Sequence, residues 1–172
     1  MRMLADKYIK QQIEIEIDGI TLLSLEEAQQ VPVEKLAIGC WWWLRSPGND
    51  RYYAADVSFD GRVNSNGYNV HITDDVVRPA LKISNQESAN LEIGDRFDAL
   101  GYTWTYVLDG LALCDTSIGK HRFDSISNCW KTSELKQWLE NWLTKKMEEM
   151  KENAKRAIIN LGFDLLEHYK EE

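Results

Sequence analysis

The chain has 172 residues, a length that fits one domain with a sizeable buried core and, as a second choice, two small ones. Its 44% hydrophobic and 28% charged residues are ordinary for a globular chain and exclude a disordered tail, a collagen-like chain and a disulfide scaffold. Twenty basic against 28 acidic residues give a net charge of −8, which disfavours nucleic acid as a partner and permits a basic one without identifying it.

No apolar run approaches the ~20 residues of a membrane helix, and residues 1–7 lack the apolar stretch of a secretory signal. Cys40, Cys114 and Cys129 cannot all pair within one chain, and their wide spacing reads as reduced thiols in a cytosolic setting with no membrane contact. Seven tryptophans are the one compositional oddity. They build either a tryptophan-rich core or a stacking platform for a ligand, since each ring brings large area and one N–H that needs an acceptor.

Ile13, Ile15 and Ile17 alternate with acidic residues, the period of a strand, and Asp18-Gly19 reads as the turn of a hairpin that continues to Leu23. Ser24 and Glu27 fit a capping box, so a short helix is expected to about Gln30, before Pro32. From 40 to 84 several short strands are expected, with turns at 47–50, Asp60-Gly61 and Asn66-Gly67. Val76–Ile83 reads as one strand with an edge or bulge at Pro79. Residues 85–90 form a polar connector, and strand patterns resume at 94–97, 102–108 and 111–114. From Thr132 or Ser133 the period becomes helical, with Leu135, Trp138, Leu139, Trp142, Leu143, Met147 and Met150 on one face. The stripe weakens through Ala154, Ala157, Ile158 and Leu161, Gly162 is the expected C-cap, and 163–169 a last short helical turn.

Trp42-Trp43-Leu44-Arg45-Ser46-Pro47-Gly48, Ala54-Ala55-x-Val57, Asp60-Gly61-x-Val63 and Val77-Arg78-Pro79-Ala80-Leu81 together resemble a domain-of-unknown-function family of Firmicutes and their phages with a WLRSPG…GVRPAL signature. Leu22–Ala28 is similar to that family's LLSxEEA stretch. Ile93-Gly94-Asp95 with Gly101–Leu108 is similar to its IGD…GxxWxVL opening, with one extra residue after the tryptophan. Trp130–Leu139 is similar to its W-x-x-S-x-L-R-x-W-L helix, with Lys136 in place of Arg, and Val76 stands where the family has Gly. In the family the second of these halves comes first. The resemblance therefore implies a circular permutation, or two chains exchanging halves in a swapped homodimer. It further implies a C-type-lectin-like or formylglycine-generating-enzyme-like scaffold, an analogy of fold that says little of function.

The expected fold class is accordingly α+β, with an antiparallel β-rich core, a short N-terminal helix, a long C-terminal helix and permuted halves at 20–84 and 91–143. A helical extension at 144–172 completes one domain over 1–172.

Arg45 and Arg78 sit in apolar strand motifs, so each is expected either to pair with an acid such as Asp56 or Asp95 or to form an anion clamp. Trp42, Trp43, Arg45 and Arg78 are read as the structural motif. In an alternating strand Trp41 and Trp43 face one way and Trp42 the other, so all three enter a core only if both faces are covered.

No catalytic constellation is found. His71, His121 and His168 lack metal-ligand spacing, the cysteines lack C-x-x-C, and no Gly-rich phosphate loop occurs, so neither a metal nor a cofactor is expected. Cys114 and Cys129 read as inert core thiols. The acid pairs at 74–75 and 148–149 read as solvated. The charged helix at 144–160 reads as an exposed amphipathic helix or as a partner helix.

Three functions follow from these residues. The first is a non-catalytic module, phage- or mobile-element-encoded, that binds a protein or small ligand. The second is an inhibitor of a host defence system acting by steric or acidic-surface competition. The third, placed last, is an enzyme on a lectin-like fold. The expected contact surface is the loops at 47–53 and 64–75, with Arg51, Tyr52, Tyr53 and Tyr68 as binding residues.

Overall fold

The computed structural model describes the backbone of residues 2–7, 11–84 and 91–168, and the side chains of 15–84 and 91–162. The connector at 85–90 and Tyr169 lie outside the described residues. The fold is α+β. Eleven strands are described: β1 (Arg2–Lys7), β2 (Gln11–Thr21), β3 (Trp42–Pro47), β4 (Tyr53–Val57), β5 (Val63–Asn69), β6 (Val76–Val77), β7 (Ala80–Ile83), β8 (Arg96–Ala99), β9 (Tyr102–Leu108), β10 (Leu111–Cys114) and β11 (Gly119–Lys120). The helices are α1 (Leu25–Ala28), α2 (Val33–Leu36) and α3 (Glu134–His168), with a 3-10 turn at Trp130–Thr132 before the last.

Six antiparallel strands close a barrel in the order β1-β2-β7-β10-β9-β8. Its apolar lining is visible in the register. Ile17 faces Ile83, Ile20 faces Leu81, Leu81 faces Ala112, Ala112 faces Tyr106, and Trp104 lies between Cys114 and Phe97. Cross-strand partners share a face, so these rows form one continuous apolar surface. Side chains from 15–83 and from 91–139 pack in this same cluster, with Leu135 and Leu139 of α3 joining it.

The second sheet has the order β11-β6-β3-β4-β5, antiparallel except for the parallel pair of β3 and β6. Here the period-two argument for the tryptophan run holds. Trp43 packs with the barrel cluster, Trp42 packs with a second cluster containing Leu36, Ala55, Val57 and Leu113, and both are fully buried. Each buried indole finds a backbone acceptor, Trp42 at Leu36 O (3.1 Å) and Trp43 at His121 O (3.0 Å). Trp41, one residue before the strand, stays 40% exposed beside Phe59. Trp43 also meets Phe123 edge-on at 5.8 Å.

Several local expectations are corrected. Asp18-Gly19 is not a hairpin turn: β2 runs through it, and Asp18 is the extra residue of a bulge between the Ile17–Ile83 and Gly19–Lys82 pairs. The bulge keeps Ile17 and Ile20 both buried although they are three apart. The capping box forms as read, Glu27 N to Ser24 Oγ at 3.0 Å and Ser24 N to Glu27 Oε2 at 2.7 Å, but α1 ends at Ala28 and a second turn of helix, α2, follows Pro32. Val76–Ile83 is two strands, because the chain leaves the second sheet for the barrel at Arg78-Pro79, where proline has no ladder N–H to lose.

Asn66-Gly67 lies inside β5 as a bulge, since pairing shifts between Ala54 and Asp56. Gly67 has φ +78°, and a Cβ there would stand 2.2 Å from the Ala54 carbonyl oxygen, so only glycine fits. The loop expected across 64–75 is therefore strand up to Asn69.

In α3, packing ends at Met150; Ala154, Ala157, Ile158 and Leu161 are exposed. Gly162 does not cap the helix, which continues to His168. No neighbouring atom lies within 4 Å of a Cβ built at Gly162, so nothing packs there to turn the chain. Ser133 caps the N-terminus of α3 through Lys136 N (3.0 Å), and Asp124 Oδ1 accepts Glu134 N (3.1 Å). No helix among the described residues is long and apolar enough to cross a membrane.

Candidate functional site

Arg45 and Arg78 take structural positions. The carboxylate that meets Arg45 is Glu27, in a bidentate pair (2.6 and 2.8 Å), and Arg45 also donates to Leu22 O (2.7 Å). Asp56, one of the acids expected to pair with an arginine, meets Asn64 and Asp75 instead. Burial raises the Glu27 carboxyl, but the hydrogen bonds from Arg45 and Ser24 outweigh it and leave the group below its ordinary value. Arg78 is 4% exposed. It donates to Cys114 O (2.7 Å) and Leu36 O (3.1 Å), with its Cζ 5.0 Å from the Trp42 ring. Burial pulls its pKa down to about 10, so it remains charged at neutral pH.

The four residues expected to bind a partner are all exposed but do not form one surface. Tyr52 and Tyr53 line a shallow cleft of about 610 Å³ with Asn49, Asp50, Asn69 and His71. Arg51 stacks on Tyr52 at 4.5 Å and is not part of that lining. Tyr68 belongs to a different cleft, of about 320 Å³, lined by Trp41, Asp56, Tyr68, Asp74 and Asp75.

Register explains how the smaller cleft is built. Trp43 pairs with Asp56 and Asp56 with Asn64, while Ala54, two residues from Asp56, pairs with Tyr68. Trp43, Asp56, Asn64 and Tyr68 therefore share one face of the sheet, and Trp41 joins by alternation. The β3–β6 pairing and the bond from Val76 N to Trp41 O (2.8 Å) then bring Asp75 alongside. The face thus passes from buried tryptophan core to two carboxyls and then to exposed aromatic rings.

Asp56 and Asp75 are 0% and 3% exposed, which corrects the reading of 74–75 as a solvated pair: Asp74 is in solvent, Asp75 is not. Asn64 Nδ2 donates to Asp56 Oδ1 (2.8 Å). Asp56 Oδ2 and Asp75 Oδ2 are buried and, among the described residues, have no hydrogen-bond partner apart from each other's carboxyl. Burial raises both pKa values, Asp56 to about 6 despite the Asn64 and Asp75 hydrogen bonds, and Asp75 to about 7 with help from the charges of Asp56 and Asp74. One proton shared between the two carboxyls satisfies both oxygens and leaves a single negative charge on the pair.

The signal for this site was in the sequence, as an Asp inside Ala-Ala-Asp-Val and an Asp directly before Val-Val, but it had no visible partner until the sheet was assembled. Of the cysteines, Cys114 is buried with its thiol pKa raised by burial. Cys129 is exposed rather than core, and hydrogen bonds from Thr132 lower its pKa. Among the described residues no group of three or more His, Cys, Asp or Glu is placed to hold a metal ion.

A domain of the family described as Domain of unknown function (DUF6273) is found at residues 13–85. That stretch supplies most of β2, both short helices, most of the second sheet and β7, and it contains every residue that lines the acid–aromatic cleft. No curated protein matches the chain, and no solved structure matches it.

Proposed function

We propose that the chain is a non-catalytic recognition module that binds a protein or small ligand on the β4–β5 part of its second sheet, with the acid–aromatic cleft as the principal contact. One observation carries this reading. A single cleft combines two exposed aromatic rings, Trp41 and Tyr68, with two buried carboxyls whose Oδ2 atoms have no described partner but each other. Such a pair costs stability in a fold that could hold an apolar pair there. Its position beneath exposed rings suits contact with something outside the chain. A C-type-lectin-like scaffold of phage or mobile-element origin, as the motifs imply, in the cytosolic setting that the cysteine spacing suggests, suits the same reading.

The raised pKa values of the Asp56–Asp75 pair favour one alternative, acid–base catalysis by the pair. The test compares the wild-type chain with a Trp41→Ala/Tyr68→Ala variant on peptide and glycan arrays, with thermal melts alongside. The recognition reading expects a wild-type signal that the variant loses at nearly unchanged Tm. A signal that persists in the variant contradicts the placement of the site. Turnover of the captured ligand, abolished by Asp75→Asn, would favour catalysis.

A further inference from the structure

We propose that the acid–aromatic cleft recognises a compact organic cation, a primary ammonium or guanidinium group, seated between Trp41 and Tyr68, met by the exposed Asp74 and attracted by the charge of the buried Asp56–Asp75 pair. This assignment rests on the recognition reading above and names its ligand class.

Three features of the cleft point to a cation. Its lining residues are two aromatics and three acids, with no basic side chain among them. Lys120, opposite Val76 on β11, is exposed and forms no part of that lining. Even with one proton shared, the pair keeps one negative charge and Asp74 adds another, and among the described residues no basic side chain lines the cleft to answer it. The exposed walls suit the missing group, because indole and phenol faces attract an organic cation through their quadrupole. Phe59, 57% exposed and 6.5 Å from the Trp41 ring, extends the aromatic surface at the rim.

Two alternatives fit less well. A metal ion needs several ligands converging on one point, and no described cluster does so. A neutral, apolar group would give nothing to Asp74 and nothing to the negative charge of the pair. An ammonium or guanidinium brings charge and several donors together. The overall charge of −8 adds a long-range attraction for such ligands.

The test is an NMR titration of the full chain, following the Trp41 indole N–H and, so that Trp41→Ala can be read as well, the backbone N–H of Tyr68. The probes are acetylated, amidated Gly-Lys-Gly and Gly-Arg-Gly, free spermidine, and the neutral norleucine analogue of the lysine peptide. The proposal expects a saturable shift with cationic probes, little with norleucine, and affinity weakened about fivefold or more in Trp41→Ala and in Asp74→Asn. Asp74 is exposed, so its variant tests the charge without risking the fold. A response to the peptides alone assigns the cation to a polypeptide side chain, and a response to spermidine alone to a free amine. No saturable shift with any cation, or an equal shift with norleucine, overturns the assignment. If the arrays still show binding that depends on Trp41 and Tyr68, the recognition reading stands without it.

Discussion

Arg78 and Trp42 share one acceptor: the guanidinium and the indole N–H both donate to the carbonyl of Leu36, each at 3.1 Å, while the guanidinium carbon sits 5.0 Å from the indole ring. This joins the end of α2 to the point where the chain crosses between the sheets, and it does so with a charge held by carbonyls and an aromatic face. Replacing Arg78 by Met takes the guanidinium donor from the Cys114 carbonyl and leaves the Leu36 carbonyl with the Trp42 indole alone. Urea unfolding should show a loss of about 2–4 kcal/mol. Arg78→Lys should recover only part of it, because an ammonium lacks the planar fork. A loss under about 0.5 kcal/mol would show that these bonds are incidental.

The alternation of the tryptophan run makes a contrast within three residues. Trp42→Ala and Trp43→Ala each empty a fully buried site and should cost about 3–5 kcal/mol. Trp41→Ala, at 40% exposure, should cost about 1 kcal/mol or less. Equal losses at all three would contradict the two-sided sheet.

Ser24→Ala removes the acceptor of the Glu27 N–H and should lower stability by about 1 kcal/mol. Glu27→Gln keeps a capping amide but weakens the bidentate pair with Arg45, which is part-exposed. It should therefore cost about as much as the cap and not several times more. Chemical denaturation of the two single variants and the double variant measures both and their coupling.

Beyond Met150 the helix carries apolar side chains in solvent, with Ile158 69% and Leu161 63% exposed. Ile158→Gln and Leu161→Gln should leave stability within about 0.5 kcal/mol. A larger loss in dilute solution, growing as the protein concentration rises, would show that another chain covers this face.

Much of the architecture was written locally. The capping box at Ser24 and Glu27, the strands at 96–114 and the stripe from Leu135 to Met150 depend on neighbours within a few residues, and they form where the spacing places them. What failed depended on distant partners. Asp18-Gly19 and Asn66-Gly67 are strong turn signals, yet β7 and β4 pair across them and convert both to bulges. Gly162 reads as a stop, but an exposed helix has no neighbour that forces an end there. Asp75 looked solvated because its neighbour Asp74 is. Its burial comes from β6 lying parallel to β3, a pairing with no local trace. In the sequence Tyr68 stands out only as an aromatic ring in an expected polar, turn-rich loop at 64–75. That it stands over a carboxyl pair, while Tyr52 and Tyr53 face another cleft, came only with the register.

The carboxyl pair also gives stability a pH dependence of known sign. Both folded pKa values are raised, so between pH 4 and 7 the folded state binds more protons than the unfolded one. The pair's contribution is full below the unfolded carboxyl value of about 3.9 and is lost as pH rises through about 6 to 7. Asp75→Asn keeps the shape and supplies a fixed donor to Asp56. Its denaturation profile should be flatter across this window, and at pH 7.5 it should match or exceed the wild type by on the order of 1 kcal/mol. A steeper profile in the variant would contradict the shared proton.

The measurement that bears most directly on the cleft is a pH titration of the aspartate side-chain carbons by NMR. The account predicts that Asp56 and Asp75 titrate as a linked pair, both displaced upward, with the upper step near neutrality, and that Asp75→Asn returns Asp56 to a single step. Independent titration of Asp56 and Asp75 at about 3.9, the value of a solvated aspartate, would show that no proton is shared beneath Trp41 and Tyr68 and would remove the basis for the site.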